Sequence, residues 1–333
     1  MIKTPYLLFL GDAPDGLAAK VAQGIRDWRP EHAVGQLRLP GCNADMKLPD
    51  MTLAQARAAG AQTLVIGVAN RGGVISKAWQ EVLVAALEAG FDLASGLHNL
   101  LRDEPVLVAA ARTHGRQLHD VRIPSTKYPI ADGIRRTGKR CLAVGTDCSV
   151  GKMYTALAMD ADMRARGLKS TFRPTGQTGI LITGDGVPLD AVVADFMAGA
   201  VEWLTPDNDL DHWDLIEGQG SLFHASFSGV TLALIHGGQA DALILSHEPT
   251  RSHMRGLPDY KMPSLEELRD LSLTLARVVN PDVKVVGISV NTAALDDDAA
   301  AECVERIEAR MGLPTVDPFR QGAGRLVDAL AAI

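Results

Sequence analysis

The chain has 333 residues, enough for two domains with separate cores, and its 47% hydrophobic and 22% charged content is that of a soluble globular protein. A net charge of −7 with no offsetting basic block excludes general nucleic-acid binding, and no stretch approaches the roughly 20 apolar residues of a membrane span. Cys42, Cys141, Cys148 and Cys303 are scattered without CxxC or metal-ligand spacing. With no targeting segment legible, since the apolar run Tyr6–Leu10 is short and ends in Gly-Asp, a cytoplasmic protein with reduced thiols is expected.

The first half alternates apolar runs with amphipathic stretches. Tyr6–Leu10 reads as a buried strand and 15–28 as a helix with Leu17, Val21 and Ile25 on one face. Further strands are expected at Val34–Leu39, Thr63–Val68, Phe91–Ala94 and Val106–Ala110, with a helix ending near Ala89. Strands alternating with helices predict a doubly wound parallel α/β domain over 1–125. Gly11-Asp-Ala-Pro-Asp-Gly16 is not GxGxxG and reads as an ordinary strand-to-helix turn. Arg71 follows a strand end, where open α/β sheets place ligands, and either clamps a carboxylate or is a solvated loop charge. His98 stands at the equivalent place after the next strand.

Residues 126–138, with Pro129, have the composition of a linker, and Arg122 at its entrance is placed to project into a cleft between domains. The basic cluster Arg135, Arg136, Lys139 and Arg140 reads as solvated surface.

A second doubly wound domain is expected over 139–333. Cys141–Val144 reads as a buried strand and Lys152 onward as a helix stopping at Gly167. The turn between them, Gly145, Thr146, Asp147, Cys148, Ser149, Val150, Gly151 and Lys152, is a phosphate loop: backbone N–H groups, a helix N-terminus and a lysine charge all face an anion. It has five residues between its glycines where the common pattern has four, and Met153 where a hydroxyl normally holds Mg²⁺. A thioether is a poor ligand for that hard cation. Phosphate binding is therefore expected and nucleotide hydrolysis is not.

Later strands at Lys169–Phe172, Trp213–Glu217, Ala242–Leu245 and Lys284–Val290 run into polar turns, and helices are expected near 188–204, 264–279, 298–311 and 322–332. Lys152, Arg173, Glu217 and His247 thus gather at the C-terminal ends of strands, which share one edge of a parallel sheet. Glu217 is placed to hold Mg²⁺ through water, to act as a base, or to orient Lys152. His224 and His247 are candidate bases because imidazole titrates near neutral pH.

The loop and Glu217-Gly-Gln-Gly220 resemble dethiobiotin synthetase over the C-terminal half. A resemblance spanning the chain is carried by Gly145–Met153, Arg173-Pro-Thr-Gly-Gln-Thr-Gly179, Glu217-Gly-Gln-Gly-Ser221 and Ser246-His-Glu-Pro-Thr-Arg251. These motifs are similar to those of a bacterial family, long of unknown function, whose members are assigned as D-glutamate N-acetyltransferases. Those proteins join a Rossmann-like N-terminal half to a P-loop C-terminal half and serve D-amino-acid catabolism. The resemblance implies acetyl-CoA as acetyl donor and a small acidic amino acid as acceptor. The chemistry of those ligands makes residues 145–153 the candidates to hold the coenzyme A phosphates, with Mg²⁺ not essential, and Arg173, Arg251 and either Arg71 or Arg122 the candidates to hold the two carboxylates. Glu217, His224 or His247 would take the ammonium proton, with direct transfer favoured over an acetyl-Cys148 intermediate. A homo-oligomer without membrane or nucleic-acid partners is expected. An ATP-dependent ligase or kinase of the dethiobiotin synthetase type, and a non-catalytic nucleotide-binding regulatory module, are the competing readings.

Overall fold

Apolar runs become strands buried on both faces, as parallel sheets require. In the computed structural model, which describes residues 2–16, 18–68, 74–124 and 126–333, strand β1 (Tyr6–Gly11) is buried at every position. It is followed by α1 (Lys20–Trp28), β2 (Ala33–Arg38), α2 (Leu53–Ala58), β3 (Thr63–Ile66), α3 (Lys77–Glu88), β4 (Asp92–Ser95), α4 (Pro105–His114) and β5 (Leu118–Asp120). The five strands pair in parallel in the order β2-β1-β3-β4-β5. The expected strand at Val106–Ala110 is instead helical. Pro105 sits in its first turn, Gly115 ends it at φ 62°, and Leu107 and Ala111 bury one face at helical spacing.

The second sheet begins with β6 (Lys139–Gly145), α5 (Lys152–Ala165), β7 (Ser170–Arg173) and α6 (Gln177–Thr183). It continues through α7 (Ala194–Leu204), β8 (Trp213–Ile216), α8 (Ser228–Gly238), β9 (Ala242–His247) and a hairpin of β10 (His253–Met254) with β11 (Leu257–Lys261). The chain closes with α9 (Leu265–Ala276), β12 (Lys284–Val290), α10 (Asp297–Met311), β13 (Thr315–Val316), α11 (Pro318–Gln321) and α12 (Gly324–Ala331). Six strands pair in parallel in the order β13-β12-β9-β6-β8-β7. The order reverses at β6, so the loop that follows β6 stands at the switch point where open α/β sheets bind ligands.

The chain divides into two units, Met1–Ser125 with Gly176–Ala191, and Thr126–Thr175 with Val192–Ile333. Helix α6 therefore belongs with the first sheet: its Gly-Ile-Leu-Ile run is buried, and it packs on α1. Arg122 fastens this excursion. Its Nε donates to Gly96 O at 2.7 Å, Nη1 pairs with Asp190, and Nη2 donates to the Gln177 amide oxygen at 2.9 Å.

Residues 126–138 fall within the second unit and pack on its other elements. Tyr128 is buried edge-on to Trp203, and the N–H groups of Asp132 and Gly133 donate to Glu202 at 3.0 and 3.1 Å. The basic cluster divides: Arg135 is exposed and pairs with Asp241, whereas Arg136 and Arg140 are not solvated surface. Arg140 is fully buried, its guanidinium donating to the Arg136 and Thr137 carbonyls at 2.9 and 3.2 Å, and Arg136 donates to Gly237 O at 2.7 Å. A backbone oxygen shut away from water needs a donor, and these arginines supply donors to the carbonyls of Arg136, Thr137 and Gly237.

Candidate active site

The loop from Gly145 to Lys152 turns because Ser149 and Gly151 adopt positive φ, 56° and 107°. Its N-terminal part is tied to neighbouring strands: Thr146 N–H donates to Ser246 O at 3.1 Å, and Ser221 Oγ donates to Thr146 O at 3.0 Å. Its tip is not. The backbone N–H groups of Ser149, Val150, Gly151 and Lys152 meet no acceptor among the described residues. Four donors at the start of the fourteen-residue α5 are what an anion's oxygens need.

Asp147, wholly buried, holds the loop together. One oxygen accepts from Cys148 N–H at 2.6 Å; the other accepts from Arg251 Nη1 at 2.6 Å and Arg255 N–H at 2.7 Å. Arg251 also donates to Cys148 O at 2.7 Å and pairs with Glu248, while Arg255 reaches Ser149 Oγ. Arg255 was not among the residues expected from sequence. Its signal is the Arg255-Gly256 turn of the β10–β11 hairpin, which that reading overlooked.

Lys152 folds back over the loop, Nζ donating to Asp147 O at 2.7 Å. Two glycines make room for it. A Cβ on Gly218 would fall 1.7 Å from Ala143 O and 2.9 Å from Lys152 Cδ, and one on Gly145 would fall 3.1 Å from Nζ. Burial pulls the ammonium down to about 8, against the opposing effects of Cys148 and Asp147. The Cys148 thiol moves the other way: burial raises it, outweighing the attraction of Lys152, which disfavours a thiolate nucleophile.

Of the three candidate bases, each sits differently. Glu217 is buried, its carboxylate accepting Thr175 N–H at 2.8 Å, while its carbonyl accepts the Thr175 hydroxyl at 2.7 Å. It thereby grips the end of β7. His224 is buried with both nitrogens engaged. Ser226 N–H donates to Nδ1 at 3.1 Å, so Nε2 carries the proton and donates to Arg255 O at 3.1 Å. His247 is half-buried, with Nδ1 3.0 Å from Thr146 Oγ1 and Nε2 without a hydrogen bond among the described residues. Burial first, then the charges of Arg310 and Arg251, push it down to about 4, so it is neutral at pH 7.

An Asp147 oxygen, Cys148 Sγ and a His224 nitrogen lie within 4.8 Å of one another. The carboxylate and both ring nitrogens already take part in the hydrogen bonds just described, so this trio supports the loop and is not set out as a metal cage.

The candidate arginines are drawn to protein acceptors. Arg173 Nε donates to Asp214 Oδ1 at 2.7 Å, a carboxylate 2% exposed, and so lies back along the sheet. Arg251 clamps the phosphate loop and Arg122 holds Gly96, Asp190 and Gln177. Arg71 lies outside the described residues.

Residues 129–327 match the family described as "Domain of unknown function (DUF1611_C) P-loop domain", and residues 37–124 match its Rossmann-like counterpart, DUF1611_N. A protein of Tritonibacter scottomollicae named D-glutamate N-acetyltransferase is 76% identical over 333 residues, 100% of both chains. One of the same name from a Pseudoalteromonas species is 48% identical over 326 residues, 98% of each. The crystal structure of a DUF1611 family protein from Anabaena variabilis superposes with a TM-score of 0.89 at 34% identity, covering 99% of this chain and 100% of that one.

Proposed function

The chain belongs to the DUF1611 family, and from that premise we propose that it is an acetyl-CoA-dependent N-acetyltransferase converting D-glutamate to N-acetyl-D-glutamate in D-amino-acid catabolism. The observation that carries this reading is the 76% identity over the whole chain to a protein of that activity's name. The site chemistry supports it. Unengaged loop N–H groups and Lys152 suit the diphosphate of coenzyme A, and Met153 removes the hydroxyl that a hydrolytic metal site would use.

His247 is the base in this proposal. With Nδ1 steadied by Thr146, Nε2 accepts the proton of the acceptor's ammonium. The free amine attacks the thioester carbonyl, a C–N bond forms, the C–S bond breaks, the nitrogen's surplus proton passes to the departing thiolate, and the proton on His247 is released to solvent. Glu217 and His224 act as positioning residues, for the β7 exit and for the β10–β11 hairpin. We further propose a cytoplasmic homo-oligomer, to be checked by fractionation and sedimentation.

Incubation with acetyl-CoA and a panel of D- and L-amino acids, followed by free thiol, tests the proposal. Thiol release with D-glutamate above that with other acceptors is expected; release at background refutes it.

A further inference from the structure

The second unit carries an aromatic wall beside the phosphate loop that none of the steps above employs. Tyr154, two residues beyond Lys152, stacks on Phe319 with ring centroids 5.2 Å apart and planes at 30°. Phe319 leaves 66% of its surface open. Its backbone is nevertheless firmly held. Asp317 is 4% exposed; one of its oxygens accepts Phe319 N–H at 2.9 Å, and the other accepts the N–H of Thr292 at 3.0 Å and the Thr292 hydroxyl. Arg320 Nη2 donates to Leu295 O at 2.7 Å. The turns leaving β12 and β13 are thus joined into one rigid wall.

Asn291 supplies its polar edge. A Cβ placed on Gly151 would lie 4.0 Å from Asn291 Cβ, so this side chain starts beside the loop. Its Oδ1 accepts Ala293 N–H at 3.2 Å, and its Nδ2 donates to nothing among the described residues.

We propose that Tyr154, Phe319 and Asn291 form an adenine subsite. An open aromatic face gives a base a surface to stack on, and an asparagine amide offers adenine both a donor and an acceptor. In an adenine nucleotide the base is one sugar away from the phosphates, and the wall begins within one helical turn of the loop. That the nucleotide is coenzyme A rests on the acetyltransferase reading; adenine recognition does not.

The test uses the full chain and 3′,5′-ADP, which keeps the adenine, the 3′-phosphate and the first 5′-phosphate of coenzyme A without the second phosphate of its diphosphate or its pantetheine arm. By calorimetry, Phe319→Ala should weaken binding about tenfold or more. It should raise KM for acetyl-CoA comparably, leave kcat and KM for D-glutamate unchanged, and leave kcat/KM for acetyl-4′-phosphopantetheine, which lacks adenosine, at the wild-type value. Asn291→Ala should erase a preference for 3′,5′-ADP over its guanosine counterpart. Undiminished 3′,5′-ADP affinity in Phe319→Ala of wild-type stability overturns the subsite, even if the wild type acetylates D-glutamate. Conversely, Phe319-dependent nucleotide binding in a wild type that releases no thiol sustains the subsite and refutes the acetyltransferase. Tighter binding of ATP than of coenzyme A itself sustains the subsite and assigns it to a nucleotide other than coenzyme A.

Discussion

Arg251 donates to the fully buried Asp147 carboxylate at 2.6 Å, from within the phosphate loop's own framework. The guanidinium expected to receive a substrate instead neutralises the loop's internal charge. Arg251→Ala leaves that carboxylate with only backbone donors, so it should lose about 3 kcal/mol or more of stability in urea unfolding. Loss of D-glutamate affinity at unchanged stability would return Arg251 to substrate binding.

Lys152 gives two pH dependences of opposite sign. Burial lowers it from 10.5 to about 8, so its charge is lost above that pH in the free protein. The value of kcat/KM for acetyl-CoA should therefore fall as pH rises through about 8. Stability should rise across the same range, because between about 8 and 10.5 the unfolded chain binds the proton that the folded one releases. Lys152→Gln should raise KM for acetyl-CoA and abolish both trends, as steady-state rates and urea midpoints at pH 7, 8, 9 and 10 would show.

His247→Asn should lower kcat by about 10²–10⁴-fold with little change in either KM. Because the imidazole is lowered to about 4, the acid limb of the wild-type profile should lie near that value and not near 6.5. Its folded form resists protonation, so stability attributable to His247 is lost as pH falls from 6.5 towards 4, and His247→Asn should flatten that loss. A full-activity His247→Asn enzyme would move the base elsewhere.

Arg173→Ala should act on stability alone. It leaves Asp214, 2% exposed, with the long Asn208 Nδ2 hydrogen bonds at 3.4 and 3.5 Å and His212 Nδ1 3.7 Å away, and a loss of about 2–3 kcal/mol is expected. The KM for D-glutamate should hold; a tenfold rise in that KM with an unchanged unfolding midpoint would restore the carboxylate-binding role.

The two parallel sheets, the loop after β6 and the gathering of polar residues at strand ends were legible because periodicity and strand-end position follow from local sequence. What arginine side chains touch was not. A guanidinium reaches several ångströms and takes the best acceptor in three dimensions, so Arg173 finds Asp214 and Arg140 finds the carbonyls of Arg136 and Thr137. The helix at Pro105–His114 was missed because a short apolar run has no distinguishing period, although Pro105 and Gly115 marked its ends. His224 and His247 look alike in sequence; hydrogen bonds from Ser226 N–H and to Arg255 O set them apart.

The excursion of Gly176–Ala191 into the first unit has a consequence for how the polypeptide comes into being. During synthesis the N-terminal sheet stays short of a packing element until residue 191 has emerged, by which time the phosphate loop and β7 have already been made. Folding is interleaved, not sequential. A fragment spanning 126–333 should display Ile180, Leu181 and Ile182 to solvent and aggregate, whereas co-expressing it with 1–125 should recover soluble material by complementation.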